Sequence, residues 1–300
     1  MNKSYDDMLN VPVMQENSKE AFVEESKKNR AKCYELAEQM LSEIKLDGNR
    51  FQTYLDVQSQ FERYTPNNVL LIMAQNPNAK KLGDYSYWKE QKVYVKRSEF
   101  NSPILVLEPG KEYQREDGSM GTYYNAKKLY DISQTTMKEA AVTSEARDER
   151  LLVKALVNNP PVSIVSKEPD SMPDGKAACF SPENNCIYVK KGMDINTIFK
   201  KLIPELVYAE FADGDKSYDY REDAFHAKCV TYMLCKKYGI DTKDTDFHHV
   251  PEFLGEKEDK EVKKELYKIK DAMGSISSRM AKILDGNKEK QNSSSERGTR

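Results

Sequence analysis

The segment of the chain with the clearest chemical signature is Leu202–Phe211, which has the spacing of a zinc-protease helix. In the motif H-E-x-x-H, histidines at i and i+4 share one helix face and bind one zinc ion, and the glutamate between them acts as general base. This chain keeps the glutamate, Glu205, but has Pro204 and Tyr208 at the two ligand positions. Proline has no side-chain donor and tyrosine is a rare zinc ligand. We therefore expect no catalytic residue and only a vestigial Glu205.

Composition favours a protein of about two domains without a membrane segment. The chain has 300 residues, of which 38% are hydrophobic and 32% charged, and its net charge is −2. No apolar run reaches the roughly 20 residues that a membrane-spanning helix needs, and no signal peptide is recognisable. The five cysteines include no C-x-x-C pair, which argues against a disulfide framework or a zinc ribbon. The sequence thus predicts a cytoplasmic protein with reduced thiols, no cofactor and no membrane partner.

Residues 80–130 combine positive charge with aromatic side chains. They contain ten Lys or Arg and seven Asp or Glu, a local net charge of +3. Single-stranded nucleic acid is bound by cations near the backbone and by aromatic rings on which bases stack. The alternative is that these aromatics fill a small β core, and Trp88, the one tryptophan of the chain, is expected there.

The pattern of the chain predicts an α+β protein with two domains. Helical spacing covers about 18–44 and 51–75, with Thr65 capping a new helix at Pro66. Short strands separated by turn residues follow in 85–135. The second half alternates two or three strands with helices near 194–212 and 222–238.

Four blocks of the first half follow one another in a fixed order: Phe61–Pro77, Tyr87-Trp88, Val95-Lys96 and Tyr130–Thr135. In this order they resemble the N-terminal domain of ArdC-type antirestriction proteins and LtrC-like proteins of conjugative elements. The family pattern runs from "Y-S-x-N-N-x-x-L-I-x-x-Q-x-P" through a tryptophan and "V-x-K-G" to "F-D-x-S-Q-T". Arg97 replaces the usual glycine after the lysine. The resemblance implies a domain that binds single-stranded DNA.

The second half resembles the zincin-like metallopeptidase domain of the same family. Residues 177–189 look like the strand pair before the protease helix, and residues 230–240 look like the following helix. Aligned on that helix, Lys228 takes the place of the family's third ligand, a glutamate. The resemblance therefore implies that Pro204, Tyr208 and Lys228 replace all three ligands and that no metal binds.

These blocks divide the chain into segments with different expected roles. We expect an N-terminal helical-plus-small-β-sheet domain and a C-terminal zincin-like α+β domain. The expected segments are a flexible N-terminus (1–18), an ArdC-like single-stranded-DNA-binding domain (19–137), a linker (138–150), a degenerate zincin-like domain (151–254), a charged helix (255–284) and a disordered tail (285–300).

Nine residues are candidates for contacting DNA because they are basic, aromatic or amide side chains in the first domain. They are Asn67, Asn68, Gln75, Tyr85, Lys92, Tyr94, Lys96, Arg97 and Tyr123. For the three amides, simple helix capping is the common alternative.

The sequence favours a single-stranded-DNA-binding accessory protein of a mobile element whose protease-like domain is catalytically dead and contacts an unknown protein partner. One alternative is a residual zinc peptidase with displaced ligands such as His226, which lies three residues before Cys229. Another is a protein-interaction module that does not bind DNA.

Overall fold

The computed structural model of the chain describes residues 14–137 and 148–297 as a mixture of helices and small sheets. The helices are α1 (Met14–Leu46), α2 (Gly48–Gln60), α3 (Pro66–Gln75), α4 (Tyr85–Glu90), α5 (Glu149–Leu156), α6 (Ile195–Ala212), α7 (Ala224–Lys237), α8 (Val250–Leu254) and α9 (Asp259–Arg297). The strands are β1 (Leu82–Gly83), β2 (Ile104–Gln114), β3 (Met120–Asp131), β4 (Ser163–Lys167), β5 (Ala178–Ser181) and β6 (Cys186–Lys190). The predicted α+β class is confirmed.

Contacts between residues divide the chain into two units. The first combines Met1–Met40 with Leu70–Lys138, and the second combines Leu41–Val69 with Glu139–Arg300. The sequence had placed residues 41–69 in the segment 19–137. Phe51 on α2 instead packs against Phe225 and Phe247, with ring centroids 5.5 and 5.6 Å apart. The apolar face of a helix is stable where another element buries it, and the residues that bury the face of α2 come much later in the sequence.

The sheet of the first unit has the order β1-β3-β2 and is antiparallel. The inner half of the β2–β3 hairpin, Ile104–Leu107, is buried, and Leu105 and Leu107 pack with Cys33 and Ala37 of α1. The outer half is largely exposed, and its register shifts between Pro109 and Glu112. We call this outer half, residues 108–125, the hairpin arm.

A buried carboxylate closes the sheet of the first unit. Asp131 Oδ1 accepts the backbone N–H groups of Lys80 and Lys81 at 2.7 and 2.9 Å. Its Oδ2 accepts the N–H and the hydroxyl of Ser133 at 3.0 and 2.6 Å. Gln134 Oε1 in turn accepts the N–H of Asp131 at 2.8 Å, which completes a capping box. The D-x-S-Q motif is therefore a structural joint between β1 and the end of β3.

The second unit is built on a sheet of order β4-β6-β5, in which β6 is parallel to β4 and antiparallel to β5. Helix α6 lies against β5 and β6, and α7 packs on α6. Asp194 caps α6 by accepting the N–H of Thr197 at 3.0 Å. The helix continues through Pro204 without a break. This arrangement places the residues after Pro204 beside the edge strand β5.

The C-terminal helix is part of the core of the second unit. Six apolar side chains spaced by three, four and seven residues are at most 1% exposed: Val262, Leu266, Ile269, Met273, Ile276 and Met280. The expected charged helix 255–284 therefore also has a buried stripe. Helix α9 continues to Arg297, within the segment 285–300 for which the sequence predicts disorder.

Three of the expected segments fall partly outside the described residues. Residues 1–13 of the expected flexible N-terminus, 138–147 of the expected linker and 298–300 of the expected tail are not described. Within the rest, α1 begins at Met14 and α5 at Glu149. Across the described ranges, no helix has both the length and the apolar character that crossing a membrane requires.

We predict that Asp131→Ala destabilises the first unit by at least about 3 kcal/mol, since four donors lose a charged acceptor and each such bond contributes about 1.5–3 kcal/mol. Urea unfolding followed by Trp88 fluorescence measures this, because the Trp88 indole N–H donates to Tyr130 O at 3.0 Å beside Asp131. The control is Asp117→Ala in the exposed hairpin turn, with an expected cost of about 1 kcal/mol or less. Equal costs for the two variants would contradict the role of Asp131.

The same experiment has an expected pH dependence. Burial alone raises the pKa of Asp131, but the hydrogen bonds from Ser133 and from the backbone of Lys81 and Lys80 outweigh it, so the pKa lies below its ordinary value of 3.8. The stabilisation is therefore complete above pH 3.8 and is lost as the pH falls through the lower, folded-state pKa. The difference between the wild type and the alanine variant should shrink in acid.

Candidate functional site

Residues 92–97 place basic and aromatic side chains on the surface of the first unit: Lys92 lies in a turn with φ 57°, and the extended segment begins after it. Val93 and Val95 are buried, whereas Lys92, Tyr94 and Lys96 are exposed, Tyr94 by 55%. Because alternate residues of an extended chain point to opposite sides, Tyr94 and Lys96 share one side. The sequence prediction that these residues are at the surface agrees with this placement.

Backbone hydrogen bonds hold this segment against the residues after β3. Tyr94 O accepts the N–H of Thr136 at 2.7 Å, and the N–H of Tyr94 donates to Thr136 Oγ1 at 3.1 Å. Lys96 Nζ donates to Ser133 O at 2.8 Å. Arg97 follows, exposed, at the start of a 3₁₀ turn. We call Lys92, Tyr94, Lys96 and Arg97 the basic row.

Two further exposed rings belong to the same unit. Tyr85 is 44% and Phe100 50% exposed, and their ring centroids lie 5.6 Å apart, edge to face. Tyr85 was a sequence candidate. Phe100 was not, because a single aromatic in a polar stretch gives no periodic signal. Trp88, in contrast, is buried with Val93, Val95 and Tyr130, as predicted.

A groove of about 730 Å³ in the first unit is lined mainly by polar side chains. Its walls include Asn29, Asn76, Asn101, Ser102, Ser133 and Phe100. Ser133 links it to the basic row, because its carbonyl accepts Lys96 Nζ. The groove also contains the residues Gln75-Asn76 of the first family block and Ser133-Gln134 of the closing one. Sequence reasoning missed it, because α1, α3 and β2 come together there only in the fold.

Two of the basic residues counted in the sequence are neutralised by neighbouring acids. Lys127 Nζ lies 3.2 Å from Asp84 Oδ2 and 3.4 Å from Glu108 Oε2. The hydrogen bond with Asp84 raises the pKa of Lys127, as does the charge of Glu108. Lys128 Nζ donates to Glu25 Oε1 at 2.7 Å. The net positive charge of residues 80–130 therefore lies mainly outside β3, the strand that carries Lys127 and Lys128.

Tyr123 lies on the hairpin arm, away from the basic row. Its ring contacts that of Tyr113, with centroids 4.2 Å apart. The arm carries two basic and four acidic residues: Lys111, Arg115, Glu108, Glu112, Glu116 and Asp117. Tyr123 is seven residues along β3 from Tyr130, a distance of about 23 Å at 3.3 Å per residue. The structure thus does not bring Tyr123 together with the basic row.

The three candidate amides have structural surroundings. Gln75 Nε2 donates to Leu71 O at 2.8 Å and Leu105 O at 2.9 Å, and its Oε1 accepts the N–H of Leu105 at 2.9 Å. Asn68 is only 9% exposed, and its N–H donates to Thr65 Oγ1 at 3.3 Å, as the predicted cap requires. Asn67 is half-buried beside it, and both asparagines belong to the second unit.

The second site is a cavity of about 220 Å³ in the second unit, beside the retained glutamate. Glu205 Oε2 accepts the N–H of Phe180 on β5 at 2.7 Å. Burial raises the pKa of Glu205, and the N–H of Phe180 and the charge of Lys176 oppose this only in part. The residues around it are Lys176, Cys179, Phe180, Pro182, Tyr208, Tyr218 and Tyr220. We call this the tyrosine cavity.

The tyrosines of this cavity come from two elements. Tyr208 on α6 lies 6.5 Å from Tyr218 and 5.7 Å from Tyr220 between ring centroids. Burial raises the pKa of Tyr208 to about 12, with further contributions from Glu205 and Tyr220. Tyr218 Oη donates to Asp223 Oδ2 at 2.8 Å. The sequence placed Glu205 and Tyr208 here but gave no signal for the tyrosines that follow α6, apart from their spacing of two residues.

The other two expected ligand positions lie outside the cavity. Pro204 does not line it, and Lys228 is exposed on α7 with Nζ 5.2 Å from the centroid of Phe247. This corrects the alignment, which had placed the Lys228 ammonium at the metal position. Asp223, five residues before Lys228, contacts the cavity residue Tyr218 through its carboxylate.

His226, the displaced ligand of the alternative hypothesis, lies between two carboxylates. Its Nδ1 is 3.0 Å from Asp223 Oδ1, and its Nε2 is 2.6 Å from Glu265 Oε2. Because opposite ring nitrogens face the two acids, the three groups cannot share one ion. Cys229 is fully buried, and burial raises the pKa of its thiol. Over residues 14–137 and 148–297, no group of three or more His, Cys, Asp or Glu side chains could hold a metal.

The residues of the tyrosine cavity do not fit a divalent cation such as the zinc ion of an intact H-E-x-x-H motif. Zinc sites use thiolate, imidazole or carboxylate ligands, usually three or four of them. This cavity offers one carboxylate, and Tyr208 stays neutral since its pKa is about 12. Burial also raises the pKa of the Cys179 thiol, with a further contribution from the charge of Glu205.

We predict that Glu205→Gln stabilises the second unit increasingly as the pH rises. The folded-state pKa of Glu205 lies above its ordinary value of 4.5. Its contribution to stability is present below pH 4.5 and is lost as the pH rises through the folded-state pKa, whereas glutamine stays neutral. Thermal unfolding between pH 4 and 8 measures the difference. Glu183→Gln, at an exposed site in the same unit, is the control. A difference that does not change with pH would contradict the raised pKa.

Comparison with known proteins gave matches only among solved structures. No family model matches the chain, and no curated protein does. The chain is similar to the metal-free crystal structure of the antirestriction ArdC protein from the R388 plasmid, with 15% identity, a TM-score of 0.45, and coverage of 73% of this chain and 86% of that chain. For the Mn(II)-bound structure the identity is 15%, the TM-score 0.44, and the coverage 73% and 85%. Both are structures from the family that the sequence blocks resemble.

Proposed function

We propose that the chain is a single-stranded-DNA-binding accessory protein of a mobile genetic element, active in conjugation or antirestriction. In this proposal the first unit binds DNA, and the second is a protease-like unit without catalysis that contacts a protein partner. The observation that carries the proposal is the basic row, in which two lysines, a tyrosine and an arginine are exposed within a short stretch of the first unit.

The basic row supplies the charge that a nucleic-acid backbone requires. Lys92, Lys96 and Arg97 are exposed cations within a short stretch of the chain. Such cations attract the phosphates of a strand, and binding releases the counterions of the strand. Affinity is therefore expected to fall as the salt concentration rises.

Exposed rings next to these cations supply stacking surfaces. Tyr94 lies between the two lysines, and Phe100 and Tyr85 form an exposed edge-to-face pair in the same unit. Stacking of a base on an aromatic side chain is worth about 1–3 kcal/mol and depends little on sequence. Only unpaired bases can stack in this way, which favours single strands over duplexes.

The polar groove supports the same preference. Unpaired bases expose hydrogen-bonding edges that a duplex hides. The side chains of Asn29, Asn76 and Asn101 line the groove and carry amides that both donate and accept. Phe100 is both one of the exposed rings and part of the groove wall. A strand that stacks at the basic row can therefore place a base in the groove.

The cysteines support the proposed cytoplasmic location. All five are free thiols, and four of them are buried: Cys33, Cys186, Cys229 and Cys235. Buried free thiols are typical of proteins from reducing compartments.

We predict that the double variant Lys96→Glu, Arg97→Glu weakens binding to an unstructured oligonucleotide at least tenfold. It should also reduce the slope of log K against log salt by about 1.4, at about 0.7 per lost phosphate contact on a single strand. Fluorescence anisotropy in a salt series measures both. The control is Lys111→Glu, Arg115→Glu, which makes the same charge change on the hairpin arm and should have little effect. Equal losses would indicate a non-specific effect of net charge and contradict the proposed row.

A second prediction concerns stacking. Tyr94→Ala should cost about 1–3 kcal/mol of binding free energy at constant salt, because a stacked base loses its platform. Tyr123→Ala, at an equally exposed tyrosine on the hairpin arm, should leave affinity unchanged. Loss of affinity only in the Tyr123 variant would move the binding surface to the arm. Unchanged affinity in both, together with unchanged affinity in the charge-reversal variant, would favour the protein-interaction alternative.

The absence of catalysis is tested with metals. A site with a dissociation constant of 1 µM would stabilise the folded protein by about 2.7 kcal/mol at 100 µM ion. We expect Zn²⁺ or Mn²⁺ at that concentration, and EDTA, to leave thermal unfolding of the second unit unchanged. A metal-dependent shift that Glu205→Gln removes, together with chelator-sensitive peptide cleavage, would establish the residual-peptidase alternative instead.

A further inference from the structure

The tyrosine cavity has the composition of a site for an organic cation. Three tyrosines and Phe180 contribute aromatic rings to its walls, and Glu205 is the carboxylate among them. Phe180 lies 6.4 Å from Tyr218 between ring centroids, so the rings form neighbouring walls. Rings arranged around a cation, with a carboxylate nearby, are the way proteins recognise alkylammonium groups.

The electrostatics of the cavity favour a positive charge. The faces of aromatic rings are negative, and a cation within about 6 Å of a ring centroid is attracted to it. Glu205 Oε2 accepts one hydrogen bond, from Phe180, and across the described residues Oε1 accepts none. Glu205 is half-buried, and one protein donor compensates its charge only in part. A cation that enters the cavity would add to this compensation.

The chain itself already places one ammonium group at this cavity. Lys176 Nζ lies 5.6 Å from the centroid of the Tyr220 ring. Lys176 remains largely exposed, and its only carboxylate neighbour within ion-pair distance in the described part of the chain is Asp174, at 3.8 Å. The lysine therefore stands at the mouth of the cavity without filling it. An external cation would compete with Lys176 for the same rings.

The size of the cavity limits the ligand to a small group. Its volume of about 220 Å³ admits more than one water but not a nucleotide or a folded peptide segment. The end of a lysine or arginine side chain, or a small quaternary ammonium ion, is of the right size. We propose that the tyrosine cavity binds an alkylammonium or guanidinium group, either as a free small cation or as the side chain of a partner protein.

The proposal is tested by NMR titration of the full chain with tetramethylammonium and, separately, ethylguanidinium. The amide signal of Phe180 is the reporter, because its N–H donates to Glu205 Oε2. We expect saturable shifts at Phe180, and no such shift with sodium at equal ionic strength. The affinity should fall in acid, as protonation removes the charge of Glu205. Absence of a saturable shift with both cations, up to about 50 mM, would overturn the proposal.

Variants test the parts played by the carboxylate and the rings. Glu205→Gln and Tyr208→Leu should each weaken binding about tenfold, in line with about 1–2 kcal/mol for a desolvated cation–π contact. Tyr208→Phe keeps the ring and should bind as the wild type does, which also separates loss of the ring from misfolding. Equal affinity in the Gln, Leu and Phe variants would overturn the proposal.

The competing lysine gives a test in the opposite direction. Lys176→Met keeps a flexible chain of similar length but removes the charge, so binding should become several-fold tighter. The matched control is Lys167→Met, which removes a lysine whose Nζ lies 3.7 Å from the Tyr188 ring centroid in the same unit but outside the cavity. Tightening in the control but not in Lys176→Met would contradict the assignment of the cavity.

Peptides distinguish the two sources of the cation. A lysine- or arginine-containing peptide is compared with the same peptide carrying alanine, using the Phe180 signal. Binding at least tenfold tighter than that of the free cation, and displaced by it, identifies a partner side chain. Equal affinity for peptide and free cation identifies a free small cation. A peptide whose binding does not depend on the basic residue, with no effect of the free cation, overturns the proposal.

Discussion

A carboxylate taken out of water must be matched by donors or a cation, and the two units of this protein meet that requirement differently. Asp131 in the first unit accepts four hydrogen bonds, and its pKa lies below the ordinary value. Glu205 in the second unit accepts one, and burial raises its pKa. The hydrogen bonds of the first carboxylate are complete, and they connect β1 to the end of β3. The second is half-buried with one donor, and it is the group to which the proposed cation would bind.

The sequence predicted those parts of the two sites that depend on local pattern. Alternation of Val93, Tyr94, Val95 and Lys96 indicates which side chains face outward before any partner is known. The helical frame around Glu205 likewise places Tyr208 one turn later on the same face. In both cases the spacing within one element is enough, because backbone geometry alone fixes which side chains are neighbours.

The parts that the sequence could not predict depend on contacts between distant segments. Gln75 seemed a candidate for DNA, but its amide bonds both backbone groups of Leu105, thirty residues away. The alignment placed Lys228 in the metal site, since the start of α7 cannot be located to one residue from its composition. The net charge counted from residues 80–130 also overstated the positive charge free to bind a ligand. Lys127 is a cation in that count, but in the fold it is paired with Asp84.

The proposed cation site gives a physical reason for a carboxylate at a position where metal ligands are missing. If the ligands of a buried cation are replaced while the carboxylate stays, the carboxylate either takes up a proton or finds another positive partner. If apolar side chains replaced the ligands, protonation would be the only way to remove the charge of the carboxylate. Tyrosines allow the carboxylate either to be protonated or to bind a cation. Their rings attract cations. Burying a neutral tyrosine hydroxyl costs little free energy when the hydroxyl is hydrogen-bonded, as that of Tyr218 is to Asp223. In the proposed cation site, Glu205 among three tyrosines therefore has a binding role and is not the remnant of an unused site.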